Sequence, residues 1–194
     1  ALAGETLEPL GEAVELFEKA LALRPLDSHL LVERSLAKAC LEGSQLYEQG
    51  DWAGAIAKLQ KVYEIKPEYV AGRAAQLLYE AHMARGNEQV EKEAYPLAQQ
   101  EYSQALEIAR QRGDEAVLML FEAQHNLAEA YAKGRETKLA IQHYQEAFAA
   151  AGLGSASGSG SPLATYLEGA EAAVQEGNYA LALKQYRQAL ASIA

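Results

Sequence analysis

The chain has 194 residues, a formal net charge of −10 and a pI near 4.9, so it lacks the Lys and Arg surplus that affinity for a phosphate backbone requires, and a nucleic-acid partner is not expected. Hydrophobic residues make up 49 % and there are only 5 prolines, a composition rich in Ala, Leu, Glu and Gln that favours an all-α fold. Cys40 is the single cysteine, which excludes an internal disulfide and a thiolate-rich metal site; no stretch approaches the roughly 18 apolar residues of a membrane span, and a cytoplasmic location is expected.

In chain order, residues 1–26 read as half a repeat, a lone helix Leu10 to Leu23 carrying Ala13, Phe17 and Ala20 on one face. Residues 27–69 read as a helical hairpin, its first helix holding Gly43, its turn Gln49-Gly50-Asp51-Trp52, and its second helix Ala55, Leu59 and Val62 before Pro67. Residues 70–112 form a second hairpin with Ala98, Tyr102 and Ala105. In it Gly86-Asn87 is expected to end the first helix, residues 88–95 are expected to be an insertion, and Pro96 to kink or start a helix. Residues 113–151 give a third hairpin with Ala128, the turn Lys133-Gly134-Arg135, and Ala140, Tyr144 and Ala147. Residues 152–162 are a Gly/Ser run, read as a flexible linker, either an engineered join or a native loop. It follows a helix and contains no lysine, so it does not read as a phosphate-cradling loop. Residues 163–194 close the array with Ala170, the turn Glu176-Gly177-Asn178-Tyr179, and Ala182, Tyr186 and Ala189. Nine helices are expected, with glycine supplying the left-handed residue of each turn.

The leading alanines Ala13, Ala55, Ala98, Ala140 and Ala182 recur at a near-constant interval, a period that marks a repeat architecture. Small residues Gly43, Ala128 and Ala170 stand at one fixed distance before Ala55, Ala140 and Ala182, where two helices can approach closely. These residues resemble the tetratricopeptide repeat (TPR), most closely from Leu41-Glu42-Gly43 through Gly50-Asp51-Trp52, Ala55-Ile56 and Leu59 to Ile65-Lys66-Pro67. The later units look like the longer form of that repeat found in kinesin light chains and bacterial regulators. The resemblance implies one continuous α-solenoid, a right-handed superhelix of stacked hairpins, with an extended segment of a partner bound in its concave groove.

Transferring the family's inward-facing positions gives Ala37, Cys40, Ser44 and Tyr47, then Arg73, Gln76, Glu80 and Met83, then Glu122, His125, Glu129 and Ala132, then Ala164, Leu167, Glu171 and Val174. Of these and their neighbours, Tyr47, Arg73, Glu80, Glu122, His125, Asn126, Glu129, Leu167 and Glu171 are the candidate peptide-binding residues. The family's clamp for C-terminal carboxylates uses lysines, asparagines and an arginine, whereas the matching places here hold Cys40, Ser44, Leu77, Glu122 and Asn126. An acidic tail is therefore not the expected partner; the carboxylates favour a neutral-to-basic segment.

No residue pattern points to catalysis. Glu122, His125 and Glu129 share a helical face, but no second Glu-x-x-His faces them, so a metal is not expected. His29, His82 and His143 have no partner at ligand spacing, and Cys40 has no nearby histidine. The expectation is a non-enzymatic interaction module without a cofactor, part of a larger bacterial protein; the alternative is a structural solenoid that self-associates through exposed terminal helices.

Overall fold

The computed structural model describes residues 4–153 and 161–193, in which every regular element is helical. The order is α1 (Gly4–Leu23), α2 (Ser28–Glu48), α3 (Trp52–Ile65), α4 (Arg73–Glu91), α5 (Tyr95–Gln111), a 3-10 turn (Gly113–Ala116), α6 (Val117–Lys133), α7 (Thr137–Ala150), α8 (Pro162–Gln175) and α9 (Tyr179–Ala191). Among the described residues there are thus nine α-helices, the number expected, and none is long and apolar enough to cross a membrane. The chain divides into two compact units, Ala1–Arg85 and Gly86–Ala194.

In the first unit α1 packs on α2 and α2 on α3. The lone helix begins at Gly4 rather than Leu10, running through Pro9 in its second turn, where proline forfeits one backbone bond. Asp27 caps α2 by accepting from the His29 and Leu30 amides, and Asp51 caps α3 by accepting from the Gly54 amide. Between α2 and α3 the crossing is set by Gly43: a Cβ there would lie 2.7 Å from Leu59 Cγ, so only glycine lets that leucine seat. Lys58–Glu42 at 2.6 Å and Lys66–Glu33 at 3.0 Å join the same two helices at the surface.

In the second unit α5 packs on α6, α6 on α7, α8 on α9, and α9 also reaches α7. Its core is built from Ala128, Ile141, Tyr144, Phe148, Leu163, Leu167, Ala170, Ala173, Ala182, Tyr186 and Ala189. The alanines that define the period, Ala55, Ala98, Ala140 and Ala182, are all fully buried. Ser161 caps α8 and Pro162 opens it, so the helix claims the end of the expected 152–162 linker; residues 154–160 of that linker lie outside the described residues.

The expected helix stop at Gly86-Asn87 and the insertion at 88–95 are corrected. Helix α4 continues through Gly86 to Glu91, and α5 starts at Tyr95. Gly86 is small for packing, not for turning: a Cβ on it would come within 2.7 Å of Tyr102 Cδ1. It stands as far before Ala98 as Gly43 stands before Ala55. The turns confirm the register. Residues Gly50, Glu93, Arg135 and Gly177, one period apart, all have positive φ, at 76°, 56°, 65° and 74°. Each is followed by an amide that bonds five residues back: Asp51 to Leu46, Ala94 to Gln89, Glu136 to Tyr131 and Asn178 to Ala173, the Schellman closure of a helix. In the third turn the left-handed residue is therefore Arg135 and not Gly134, whose φ is −73°.

Three substitutions have predictable effects on stability. Gly86→Ala should lower the unfolding free energy by about 1–3 kcal/mol through overpacking, whereas Gly11→Ala, where a Cβ meets nothing within 4 Å, should be neutral or gain up to about 1 kcal/mol. Arg135→Gly should gain about 0.5–1 kcal/mol by relieving a left-handed residue that carries a side chain. Urea denaturation followed by circular dichroism measures all three.

Candidate functional site

In the first unit the structure brings Tyr47, Arg73 and Glu80 together. Tyr47 sits in the last turn of α2, edge-on to Trp52 with ring centroids 5.2 Å apart. Its hydroxyl pKa is pushed up to about 12, first by burial and then by the charge and hydrogen bond of Glu80, with Arg73 opposing. Glu80 also accepts from the Gln76 amide at 2.8 Å. Arg73 opens α4 close enough to Cys40 to pull its thiol pKa down, but burial dominates and that pKa rises to about 11. A thiol so placed stays protonated and inert at neutral pH. Ser44 donates to the Cys40 carbonyl at 2.8 Å.

The corrected register moves one set of inward positions. The residues of α4 that match Ala37, Cys40, Ser44 and Tyr47 are Glu80, Met83, Asn87 and Val90, so Arg73 and Gln76 fall before the matched stretch. Asn87 is the residue the sequence reading missed, and Gly86 at its regular place before Ala98 was the available signal. Its side-chain oxygen accepts from the Tyr102 hydroxyl at 2.6 Å.

In the second unit α6 carries Glu122, His125, Asn126 and Glu129. Glu122 is exposed, Asn126 is half-buried, and His125 lies between Phe121 and Tyr144 with centroids at 6.4 and 6.1 Å. Glu129 is the centre of this group. Arg187 of α9 grips it with both arms of its guanidinium, Nε to Oε1 at 2.8 Å and Nη2 to Oε2 at 2.7 Å, and the Tyr144 hydroxyl donates to it from α7. Burial pushes the Glu129 carboxyl up, but the hydrogen bonds from Arg187 and Tyr144 outweigh it and the net shift is downward. Tyr144 is raised in turn, chiefly by burial and then by Glu129. His125 is lowered by burial despite Glu129 beside it, so it is neutral at pH 7. Glu129 is thus a structural carboxylate engaged by a cation, not an open charge awaiting a ligand. Among the described residues no group of three His, Cys, Asp or Glu is placed to hold a metal ion.

Leu167 and Glu171 lie on α8, one buried and one exposed. With Gln145, Phe148, Ala149 and Tyr186 they line a cavity of about 180 Å³. A more open hollow of about 320 Å³ is bordered by Pro96, Gln99, Gln100, Ser103, Gln104 and Tyr131. A polar network also escaped the sequence reading: buried Gln124 meets His143 Nδ1 at 2.7 Å and donates to Glu146 at 2.6 Å, while Arg110 approaches Glu146 at 3.6 Å. His143 stacks flat on Tyr131 at 5.2 Å. The network ties α5, α6 and α7 together.

Residues 77–151, less than half of the chain, match a family described as a protein of unknown function (DUF2753). No curated protein matches the chain.

The Glu129 assembly has a pH signature. Because its folded carboxyl pKa is lowered from the ordinary 4.5, the stability it gives is complete above that value and is lost as pH falls through the lower folded one. Arg187→Ala should cost about 1–2 kcal/mol at pH 7, moderated by the partial exposure of the arginine, and its deficit against wild type should shrink below about pH 4. Thermal or urea unfolding across pH 3 to 7 gives the comparison.

Proposed function

We propose that this chain is a TPR-type α-solenoid, a right-handed array of stacked hairpins, that works as an interaction module for a neutral-to-basic segment of another protein. The observation that carries the reading is the repeat itself: four hairpins with the same Schellman turn at Gly50, Glu93, Arg135 and Gly177 and the same buried alanine at each crossing. Arrays of that kind spend their sequence on presenting a surface rather than on enclosing a reaction. The surface we favour lies in the second unit, where Leu167 and Glu171 border a cavity with an apolar floor and a carboxylate at its edge. The reading includes no enzymatic activity, no cofactor, and a bacterial, cytoplasmic setting.

The charge argument is narrower than the sequence suggested. Glu129 is neutralised by Arg187 and Glu80 is bonded to Tyr47 and Gln76, so a shared field from all four carboxylates is not what draws a partner. Attraction then rests on the exposed Glu122 and Glu171 and should be modest and salt-sensitive.

A self-associating scaffold remains the second reading, favoured by one observation: in α1 and just after it, Leu16, Leu23 and Leu26 are 64 %, 86 % and 92 % exposed, an apolar edge suited to another copy. Titrating the chain with basic, neutral and acidic peptide pools tests the first reading, with preferential binding of the basic pool at low salt expected. Light scattering on the size-exclusion peak separates the second, since a concentration-independent monomer excludes it.

A further inference from the structure

The last two hairpins are one period apart, so their equivalent positions can be compared directly. His125, Glu129 and Tyr144 correspond to Leu167, Glu171 and Tyr186, each one period later. In the earlier set the guanidinium of Arg187 lies on Glu129 and interacts with Tyr144 and His125. It arrives from α9, the second helix of the following hairpin, and satisfies the carboxylate in a two-pronged contact.

The later set has the same carboxylate and phenol in a different state. Glu171 is exposed, close enough to Tyr186 to raise its pKa. Tyr186 is 2 % exposed, and its hydroxyl makes no hydrogen bond of ordinary geometry, with only the Gln145 side chain near enough to act on it as a weak partner and partly offset the effect of burial. A buried phenol so poorly met is unusual, because such groups are destabilising unless satisfied. Both residues border the cavity of about 180 Å³, whose remaining lining is Phe148, Ala149, Leu167 and Gln145. The cavity therefore offers an apolar wall for a methylene stem, a tyrosine in its lining whose hydroxyl is closed from solvent, and an exposed carboxylate.

We propose that this cavity is a receptor for an arginine side chain of a partner protein, which Glu171 and Tyr186 would hold as Glu129 and Tyr144 hold Arg187. The inference rests on the interaction-module reading and specifies its contact. A planar guanidinium can bridge the carboxylate while its donors reach the phenol oxygen, whereas an ammonium makes one point contact. The partner supplies the guanidinium in trans, replacing the arginine that the chain supplies to itself one repeat earlier.

The test is a titration of the whole chain, followed by the NMR signals of the Leu167 methyls and the Tyr186 ring, with three short peptides that differ at one residue: arginine, lysine or citrulline. The arginine peptide should bind and shift both signals, with the lysine and citrulline peptides weaker about tenfold or more. Glu171→Gln should remove that preference. Tyr186→Phe, which keeps the ring stacked on Tyr144 and Phe148, should weaken the arginine peptide several-fold while raising the melting temperature, since it deletes a poorly satisfied buried hydroxyl. Equal binding of the three peptides, or arginine binding untouched by both variants, would overturn the receptor while leaving segment binding intact. Failure of the basic peptide pool to bind anywhere would sink the interaction-module reading itself. Concentration-dependent dimerisation abolished by Glu171→Gln would show that the occupant is a second copy and overturn the assignment to a separate partner.

Discussion

Everything in both units depends on how closely the two helices of a hairpin can approach. The approach is set at one position, where a residue with almost no side chain on the first helix meets a large one on the second: Gly43 under Leu59 and Gly86 under Tyr102. Ala128 with Tyr144 and Ala170 with Tyr186 occupy the same places, and all four of these residues are buried in the core. Close helix crossings of this kind leave no room for adjustment, because protein interiors are packed to crystal density. The turn is then dictated as well, since two helices held that tightly must reverse within a very short stretch of chain, and a Schellman closure with one left-handed residue does so.

The choice of the large residue has further consequences. Leu59 ends the matter with an apolar surface, but a tyrosine in that place carries a hydroxyl into the interior, where an unbonded polar group is costly. A polar residue on the first helix of the same hairpin answers it: Asn87 for Tyr102 and Glu129 for Tyr144. An asparagine needs nothing more. A glutamate brings a charge that must itself be met, and Arg187 meets it from the next hairpin. One substitution of leucine by tyrosine thus propagates from packing to hydrogen bonding to an ion pair that ties successive hairpins together.

The period, the helix count and the places of three of the four turns were legible because they rest on local spacing, which survives in the sequence whatever the side chains become. Gly86-Asn87 misled because a glycine followed by asparagine is equally the signature of a helix end and of a tight crossing; only the partner ring of Tyr102 decides between them. Gly134 misled for a related reason, as the left-handed strain fell on its neighbour Arg135. The candidate residues were found as positions but not as states. Glu129 and Arg187 are far apart in the chain, and nothing local announces that one is neutralised by the other. The poorly met phenol of Tyr186 is a property of surroundings contributed by α7 and α8 and has no sequence mark.

Trp52 is the only tryptophan in the chain and lies against Tyr47 in the first unit. The second unit instead concentrates stacked tyrosines and phenylalanines around Tyr144 and Tyr186. Nature has therefore labelled the two halves with different chromophores. Indole emission reports one half alone, while near-ultraviolet tyrosine dichroism is dominated by the other, so the molecule carries its own means of revealing whether its halves melt as a single cooperative body or in succession.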